Sequence, residues 1–325
     1  MNRAIRSLYV LMAGGALFVN AAAATAQAYP SRPIRIVVPF GAGGGADLVT
    51  RFLAQRMTTA LGTSVVVDNR PGGGGLIGTQ IVATAAPDGY TLVEASATTL
   101  AVVPMMTKAP YDALRDLAPI TMMGAQPHVV VVHPSVPVKS LQELIAYAKA
   151  KPGTLNYASS GNGGPNHLGT ELFKLDAGIQ MTHIPYKGNG PALTDLLGGQ
   201  VQVSLLTVAP SLPHIKAGKL RALAATSPDR LPVLPDLPTV AELGFPNYEV
   251  RSWYGLLAPA RTPRPIIARL HQEIASILKQ PDAVEALKAQ GVDPIGNTPS
   301  EFAAHIRNEI TRWGRVVKAL GLRLD

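Results

Sequence analysis

Apolar positions along this chain switch repeatedly between two periods. Short aliphatic runs at residues 34–38, 65–67, 90–94, 129–132, 155–158 and 201–206 read as strands. Between them the apolar residues recur at three- and four-residue spacing. Val49, Phe52, Leu53, Met57 and Leu61 line one face of a helix over residues 47–61. Ser140-Leu141-Gln142-Glu143 is a capping box that opens another, and Pro152-Gly153 ends it. Further helices fall between the later strands. The C-terminal part is helical: Ile266, Ile267, Leu270, Ile274, Ile277 and Leu278 share a face. Thr298-Pro299-Ser300-Glu301 combines an N-cap, a proline in the first turn and a capping box. The helix it starts carries Phe302, Ile306, Ile310, Trp313, Val317 and Leu320, and Gly321 suits its C-terminal cap. Alternation of this kind predicts an α/β fold with mostly parallel sheets flanked by helices. Prolines stand mostly at element joints, as in Leu234-Pro235-Asp236-Leu237-Pro238, and no internal repeat is visible.

The N-terminus departs from this pattern. Arg3 and Arg6 precede an apolar run from Leu8 to Val19, and Ala26-Gln27-Ala28 forms an A-x-A step just before Tyr29-Pro30. That is the layout of a secretory signal peptide over residues 1–28, cleaved near Ala28. The run is far shorter than the ~20 residues of a membrane span, and without an Arg-Arg pair the Sec route is expected. The expected location is the periplasm. Nothing after residue 28 is apolar and long enough to span a bilayer.

Composition narrows the chemistry. Cysteine is absent, which excludes disulfides, thiolate metal sites and a cysteine nucleophile. The formal charge is +8, and leaving out Arg3 and Arg6 gives +6. The basic residues are scattered and aromatics make up only 5%, unlike the basic, aromatic-laced stripe of a nucleic-acid surface. A mature part of this length suggests two domains.

Four strand-to-helix joints are built of Gly, Ser, Thr and Asn. They are Phe40-Gly41-Ala42-Gly43-Gly44-Gly45, Arg70-Pro71-Gly72-Gly73-Gly74-Gly75, Ser159-Ser160-Gly161-Asn162-Gly163-Gly164 and Lys187-Gly188-Asn189-Gly190-Pro191. Ser96, Thr98 and Thr99 follow a further strand. Ligands of open α/β sheets settle outside the carboxyl ends of strands, glycines admit close backbone approach, and free N–H groups at helix starts favour anions. Several such loops converging would hold a carboxylate without an arginine.

Other chemistries leave weaker traces in the sequence. Residues 41–46 match G-x-G-x-x-A after a strand, with Asp68 ending the next strand, which is the context of a dinucleotide-binding fingerprint. An exported protein has no ready supply of such a cofactor, so an NAD- or FAD-dependent oxidoreductase is the alternative and no cofactor is expected. The stretch 73–78 also matches G-x-G-x-x-G but follows Pro71. No phosphate loop, G-x-S-x-G elbow or H-E-x-x-H pair is present, so no catalytic residue and no metal ligand is assigned. Among the seven histidines only His167 and His183 flank the glycine loops.

With these loops in view, the chain resembles the tripartite tricarboxylate transporter receptor family, the Bug proteins, which are periplasmic solute-binding proteins. The likeness is carried by Tyr29-Pro30-Ser31-Arg32-Pro33-Ile34 with Val38-Pro39-Phe40-Gly41-Ala42-Gly43-Gly44, by Asp68-Asn69-Arg70-Pro71-Gly72-Gly73-Gly74-Gly75, and by Pro87-Asp88-Gly89-Tyr90-Thr91-Leu92. It continues through Pro110-Tyr111-Asp112, Leu155-Asn156-Tyr157-Ala158-Ser159-Ser160-Gly161, Pro185-Tyr186-Lys187-Gly188 and Thr194-Asp195-Leu196-Leu197-Gly198-Gly199-Gln200. The resemblance implies a two-lobed Venus-flytrap fold of the type II-like periplasmic binding protein kind. Lobe 1 would comprise 29–129 plus 251–325 and lobe 2 130–250, with crossings near 129–132 and 250–253. It also implies capture of a small organic mono- or dicarboxylate by a monomer that hands it to a membrane permease of a tripartite tricarboxylate-type system. A ligand carrier docking on a sensor kinase would use the same lobes. Ligand contacts carried over are Phe40, Gly41, Ala42, Gly43, Ser96 and Thr98 from one lobe, and Ser159, Ser160, Gly161, Asn162, Gly188, Gly190 and Thr207 from the other. Many relatives have an acid where this chain has Leu206, which disfavours an ammonium-bearing ligand.

Overall fold

The computed structural model describes residues 29–186 and 188–323. The expected export signal and Lys187 of the fourth loop lie outside the described residues. A central sheet organises the chain in the order β2-β1-β3-β9-β4-β7-β5-β6. The strands β1 (Ile34–Val38), β2 (Val65–Asn69) and β3 (Thr91–Ala95) form one parallel set, with Ile34 opposite Val65 and Arg35 opposite Thr91. A second parallel set is β5 (Asn156–Ser159), β6 (Thr182–Pro185) and β7 (Val203–Thr207). Helices cover both faces of these strands, which is why their sequences are nearly continuous apolar runs. The short β10 (Asp293–Pro294) and β8 (Arg221–Ala225) both pair with β4.

Two long strands join the sets. β4 (Leu117–Val132) pairs antiparallel with β9 (Arg251–Pro259) from Leu117 opposite Pro259 to Pro127 opposite Arg251. Its last five residues pair instead with β7, from His128 opposite Thr207 to Val132 opposite Val203. β9 also lies antiparallel to β3. These pairings fix directions. β3 runs the same way as β4, toward the second set, and β7 runs back against β4. The carboxyl ends of the two parallel sets therefore face each other, and so do the loops that follow them.

Helices follow most strands: α1 (Gly45–Leu61), α2 (Leu76–Ala83), the short α3 (Val103–Met106) after a wide helical turn at Thr98–Val102, and α4 (Leu141–Ala150). Then come α5 (Pro165–Ala177), α6 (Asn189–Leu197), α7 (Val208–Lys216), α8 (Arg264–Leu278), α9 (Pro281–Ala289) and α10 (Pro299–Leu320). Apolar clusters fill both faces of each half. One, built on Ile34, Ile36, Leu92 and Leu256, takes in Val49, Leu53 and Met57 of α1 and Leu270, Ile274 and Ile277 of α8. The opposite face gathers Trp253, Phe302, Ile306 and Trp313, together with Leu168 of α5 from the other half.

Three expectations need amending. The sheet is mixed rather than mostly parallel, because β4, β8, β9 and β10 pair antiparallel. The run at 129–132 is only the tail of β4; Pro119, Gly124 and Pro127 disguise the rest. Register shifts between Pro119 and Thr121 and between Met122 and Gly124 let the strand absorb two of these breakers. The capping box of α10 forms in full. That of α4 is altered: Ser140 accepts from the Glu143 N–H, while Glu143 reaches one residue further back, to the Lys139 N–H.

Candidate functional site

The first glycine loop, Phe40 to Gly44, joins β1 to α1 and leaves Gly41, Ala42 and Gly43 exposed. Asp47, buried in the first turn of α1, shapes it. Its carboxylate accepts the Gly43 N–H at 2.9 Å, Arg51 Nε at 3.0 Å and Asn69 Nδ2 at 2.9 Å. Asn69 Nδ2 also donates to the Phe40 carbonyl at 3.1 Å. Burial pushes the Asp47 carboxyl up, but bonds from Arg51, Gly43 and Asn69 outweigh it and hold the group below the usual carboxylate range. The Gly43 amide is thus engaged inside the protein, whereas Gly41 and Ala42 stand at the tip.

The second loop backs onto the first. A Cβ on Gly75 would lie 2.5 Å from Thr99 Cγ2 and 3.5 Å from Phe40 Cζ. One on Gly78 would lie 2.7 Å from the Arg70 carbonyl oxygen and 2.8 Å from Pro39 Cα, so only glycine lets α2 approach both loops. After β3 the chain turns through Ser96, whose N–H donates to Thr99 Oγ1 at 3.1 Å. Thr98 is buried beside it, and Tyr111 Oη donates to the Thr99 carbonyl.

In the second half, β5 ends at Ser159, which is fully buried. Its hydroxyl lies 2.6 Å from His183 Nε2, accepts the Gly161 N–H at 3.2 Å and lies 3.1 Å from the Gly161 carbonyl. Ser160 Oγ donates to Asn166 Oδ1 at 2.9 Å. Gly161 takes φ +132°, a conformation that other residues reach only with strain. The fourth loop is tied on by the Gly188 N–H, which donates to the Ser160 carbonyl at 3.1 Å, and by Asn166 Nδ2, which donates to Asn189 Oδ1. Asn162 and Gly190 are exposed. Thr207 closes β7 at the start of α7 and lies opposite His128 on β4.

The halves meet at Gly163. A Cβ there would lie 3.3 Å from Val102 Cγ1 and 3.5 Å from both Val103 Cγ2 and Met106 Sδ, all from the segment after Ser96. Gly74 packs on the same Val103. The first, second and third loops and the Thr98–Met106 segment therefore form one contiguous group of contacts, with the fourth loop attached through Ser160. Leu206 lies in the apolar core with Val129, Val131 and Ala158. A cavity of about 480 Å³ beside Trp253 and Trp313 lies apart from these loops.

Some functional candidates carry no motif. Glu94, on β3, is fully buried and neither carboxylate oxygen has a hydrogen-bond partner among the described residues. Burial raises its carboxyl to about 8. Tyr254 on β9 packs on Gly45 at the start of α1, and its hydroxyl donates to Gln126 Oε1 of β4 at 3.0 Å. A lone Glu inside Thr-Leu-Val-Glu-Ala and a Tyr inside a strand give no spacing signal, so only the fold places them behind the first loop. Among the described residues no cluster of three or more His, Asp or Glu could hold a metal, and no helix is long and apolar enough to cross a membrane.

Comparison with known proteins converges on one family. Residues 49–322 match the model described as the tripartite tricarboxylate transporter family receptor. The chain is 44% identical over 306 residues to protein BugT of Bordetella pertussis, covering 94% of each. A solved structure of R. palustris Rpa4515 with adipate superposes with a TM-score of 0.84 at 37% identity, covering 91% of this chain and 99% of that one. MatC from Rhodopseudomonas palustris with bound malate gives a TM-score of 0.80 at 32% identity, covering 89% and 100%.

Proposed function

The chain belongs to the tripartite tricarboxylate transporter receptor family, the Bug solute-binding proteins, and from that premise we propose that it captures a small mono- or dicarboxylate outside the cytoplasm. The ligand would lie between lobe 1 (29–129 and 251–325) and lobe 2 (130–250). The observation that carries this reading is the opposition of the two parallel strand sets, whose glycine- and serine-rich loops meet around Gly163 and Val102. The adipate- and malate-bound relatives support the ligand class.

Burying a carboxylate is costly unless its oxygens are hydrogen-bonded. Each charge-assisted bond contributes about 1.5–3 kcal/mol, so a few suffice for micromolar binding near −8 kcal/mol after association costs, roughly. On lobe 1 the donors would come from Phe40, Gly41, Ala42, Ser96 and Thr98, with Gly43 held by Asp47 as the support of the tip. On lobe 2 they would come from Asn162, Gly190 and Thr207, set in place by Ser160, Gly161 and Gly188, whose own donors are engaged within the loops, with Ser159 bracing the turn beneath. Leu206 offers an ammonium group no partner, which favours plain carboxylic acids over acidic amino acids. Ligand touching both lobes would favour the closed form.

In this reading the protein turns nothing over and passes its ligand to a membrane permease. The fingerprint-like loop argues weakly for a dinucleotide, because the Asp68 carboxylate that would meet a ribose is already held by Arg35 and Arg70. A thermal-shift screen against a carboxylate library tests the proposal. A ligand at 100 times its Kd should add about 2.7 kcal/mol of stability. A protein that no carboxylate stabilises, or that purifies with NAD or FAD bound, would not be this receptor.

A further inference from the structure

His167 stands in the first turn of α5 and is buried. Its Nδ1 accepts the Gly163 N–H at 3.1 Å. A ring nitrogen that accepts carries no proton, so the contact selects the neutral tautomer protonated on Nε2. The ring stacks on His183 with centroids 4.1 Å apart, and His183 stacks in turn on Tyr157 at 4.8 Å. Gly163 is the residue whose backbone packs against Val102, Val103 and Met106 of the other half. The imidazole thus holds the loop at its point of contact across the crevice.

Several features keep a proton off this ring. It is buried, it sits at the positive end of a helix, and a charge on it would face a second imidazole. The charged groups nearby are Glu171 and Lys174, both on α5 and paired with each other at 2.6 Å, with Glu171 also accepting from Tyr157 Oη. From β6 the His167 ring is faced by His183, and the side chains of the other half nearest Gly163, those of Val102, Val103 and Met106, are apolar. Burial lowers both rings below the ordinary histidine range, and His183, which also feels His167, falls to about 4. Protonating His167 would turn the acceptor Nδ1 into a donor aimed at another donor.

We propose that His167 is a positioning residue for ligand capture: it latches residues 159–164 against Val102 and Val103 through the Gly163 N–H, and a proton on Nδ1 releases the latch. The link to affinity rests on the carboxylate-crevice reading, but the latch can be observed without ligand. Capture is then complete at neutral pH and is lost as pH falls below the usual histidine range.

The test is nitrogen-detected histidine NMR with hydrogen exchange at Gly163 on the purified protein, from pH 7.5 down to 4.5. The expected result is a neutral His167 ring protonated on Nε2, with Gly163 protection falling as that ring titrates. His167→Asn supplies a non-titrating acceptor, Oδ1, and should keep Gly163 protected across the range. A neutral ring protonated on Nδ1, or Gly163 protection that ignores the His167 titration, overturns the proposal; wild-type spectra decide both without any variant. Adipate added at pH 7.5 separates the two ideas, since failure to bind counts against carboxylate capture while the exchange data still judge the latch. Where adipate binds, its affinity should fall about tenfold per pH unit below the His167 midpoint, and much less in His167→Asn; equal losses in both refute the latch.

Discussion

Ser159 and Ser160 are neighbours with different work. Ser160 Oγ makes one bond, to Asn166, and its residue is partly exposed. Ser159 is sealed beneath, with its hydroxyl engaged by His183 and Gly161. Calorimetry on the best carboxylate should therefore show Ser160→Ala weakening binding with little loss of stability. Ser159→Ala should lose affinity together with about 1–3 kcal/mol of folding stability, because it strands buried partners. Glu94 allows a pH prediction with a definite sign. Its folded carboxyl titrates near 8 against 4.5 when unfolded, so the folded state holds the extra proton. Its destabilising effect is absent below 4.5 and grows as pH rises toward 8. Glu94→Gln should thus be more stable than the parent at pH 8, and the gain should shrink toward pH 5 in denaturant titrations. The glycine- and serine-rich loops of the candidate site were legible because such residues are unusual after strands. Asp47, Glu94 and Tyr254 were not, since a single Asp, Glu or Tyr within an ordinary helix or strand says nothing about what lies across the fold.

At the level of elements, glycine loops are only as well placed as the helices behind them. α2 reaches both the Pro39 and Arg70 ends through Gly78, where a methyl group would meet backbone on two sides. Gly78→Ala should cost about 1–3 kcal/mol as overpacking and weaken ligand binding by displacing both loops, read by thermal unfolding and calorimetry together. α10 depends on its start: Thr298 accepts the Glu301 N–H, and Glu301 returns the bond to the Thr298 N–H at 2.8 Å. Thr298→Ala should cost about 1 kcal/mol. That box, like the strand at Ile34–Val38 and the helix ending at Leu61, was readable because its signal is local. β4 and β9 were not readable as long strands. Their residues are held by each other across more than a hundred positions of sequence, and Pro119, Gly124 and Pro127 look like breaks until the partner strand is in place.

Across the whole molecule, direction matters more than composition. β4 passes from one parallel set to the other, β9 runs back alongside it in the first, and the pairing of β4 and β9 with β3 and β7 turns two sets of carboxyl ends face to face. In the proposed reading the acid is held between the two sets, each supplying part of the hydrogen bonds that a buried carboxylate needs. Binding should be cooperative between halves: a Gly41→Pro change on one side and Ser160→Ala on the other should each cost affinity while leaving the opposite loops in place. The most direct test is a crystal structure with the tightest carboxylate found by the screen. Density for the acid between Phe40–Ala42 and Ser160–Asn162, with its oxygens bonded to amides and hydroxyls from both lobes, is the predicted result. Density bound to one lobe alone, or lodged away from these loops, would contradict it.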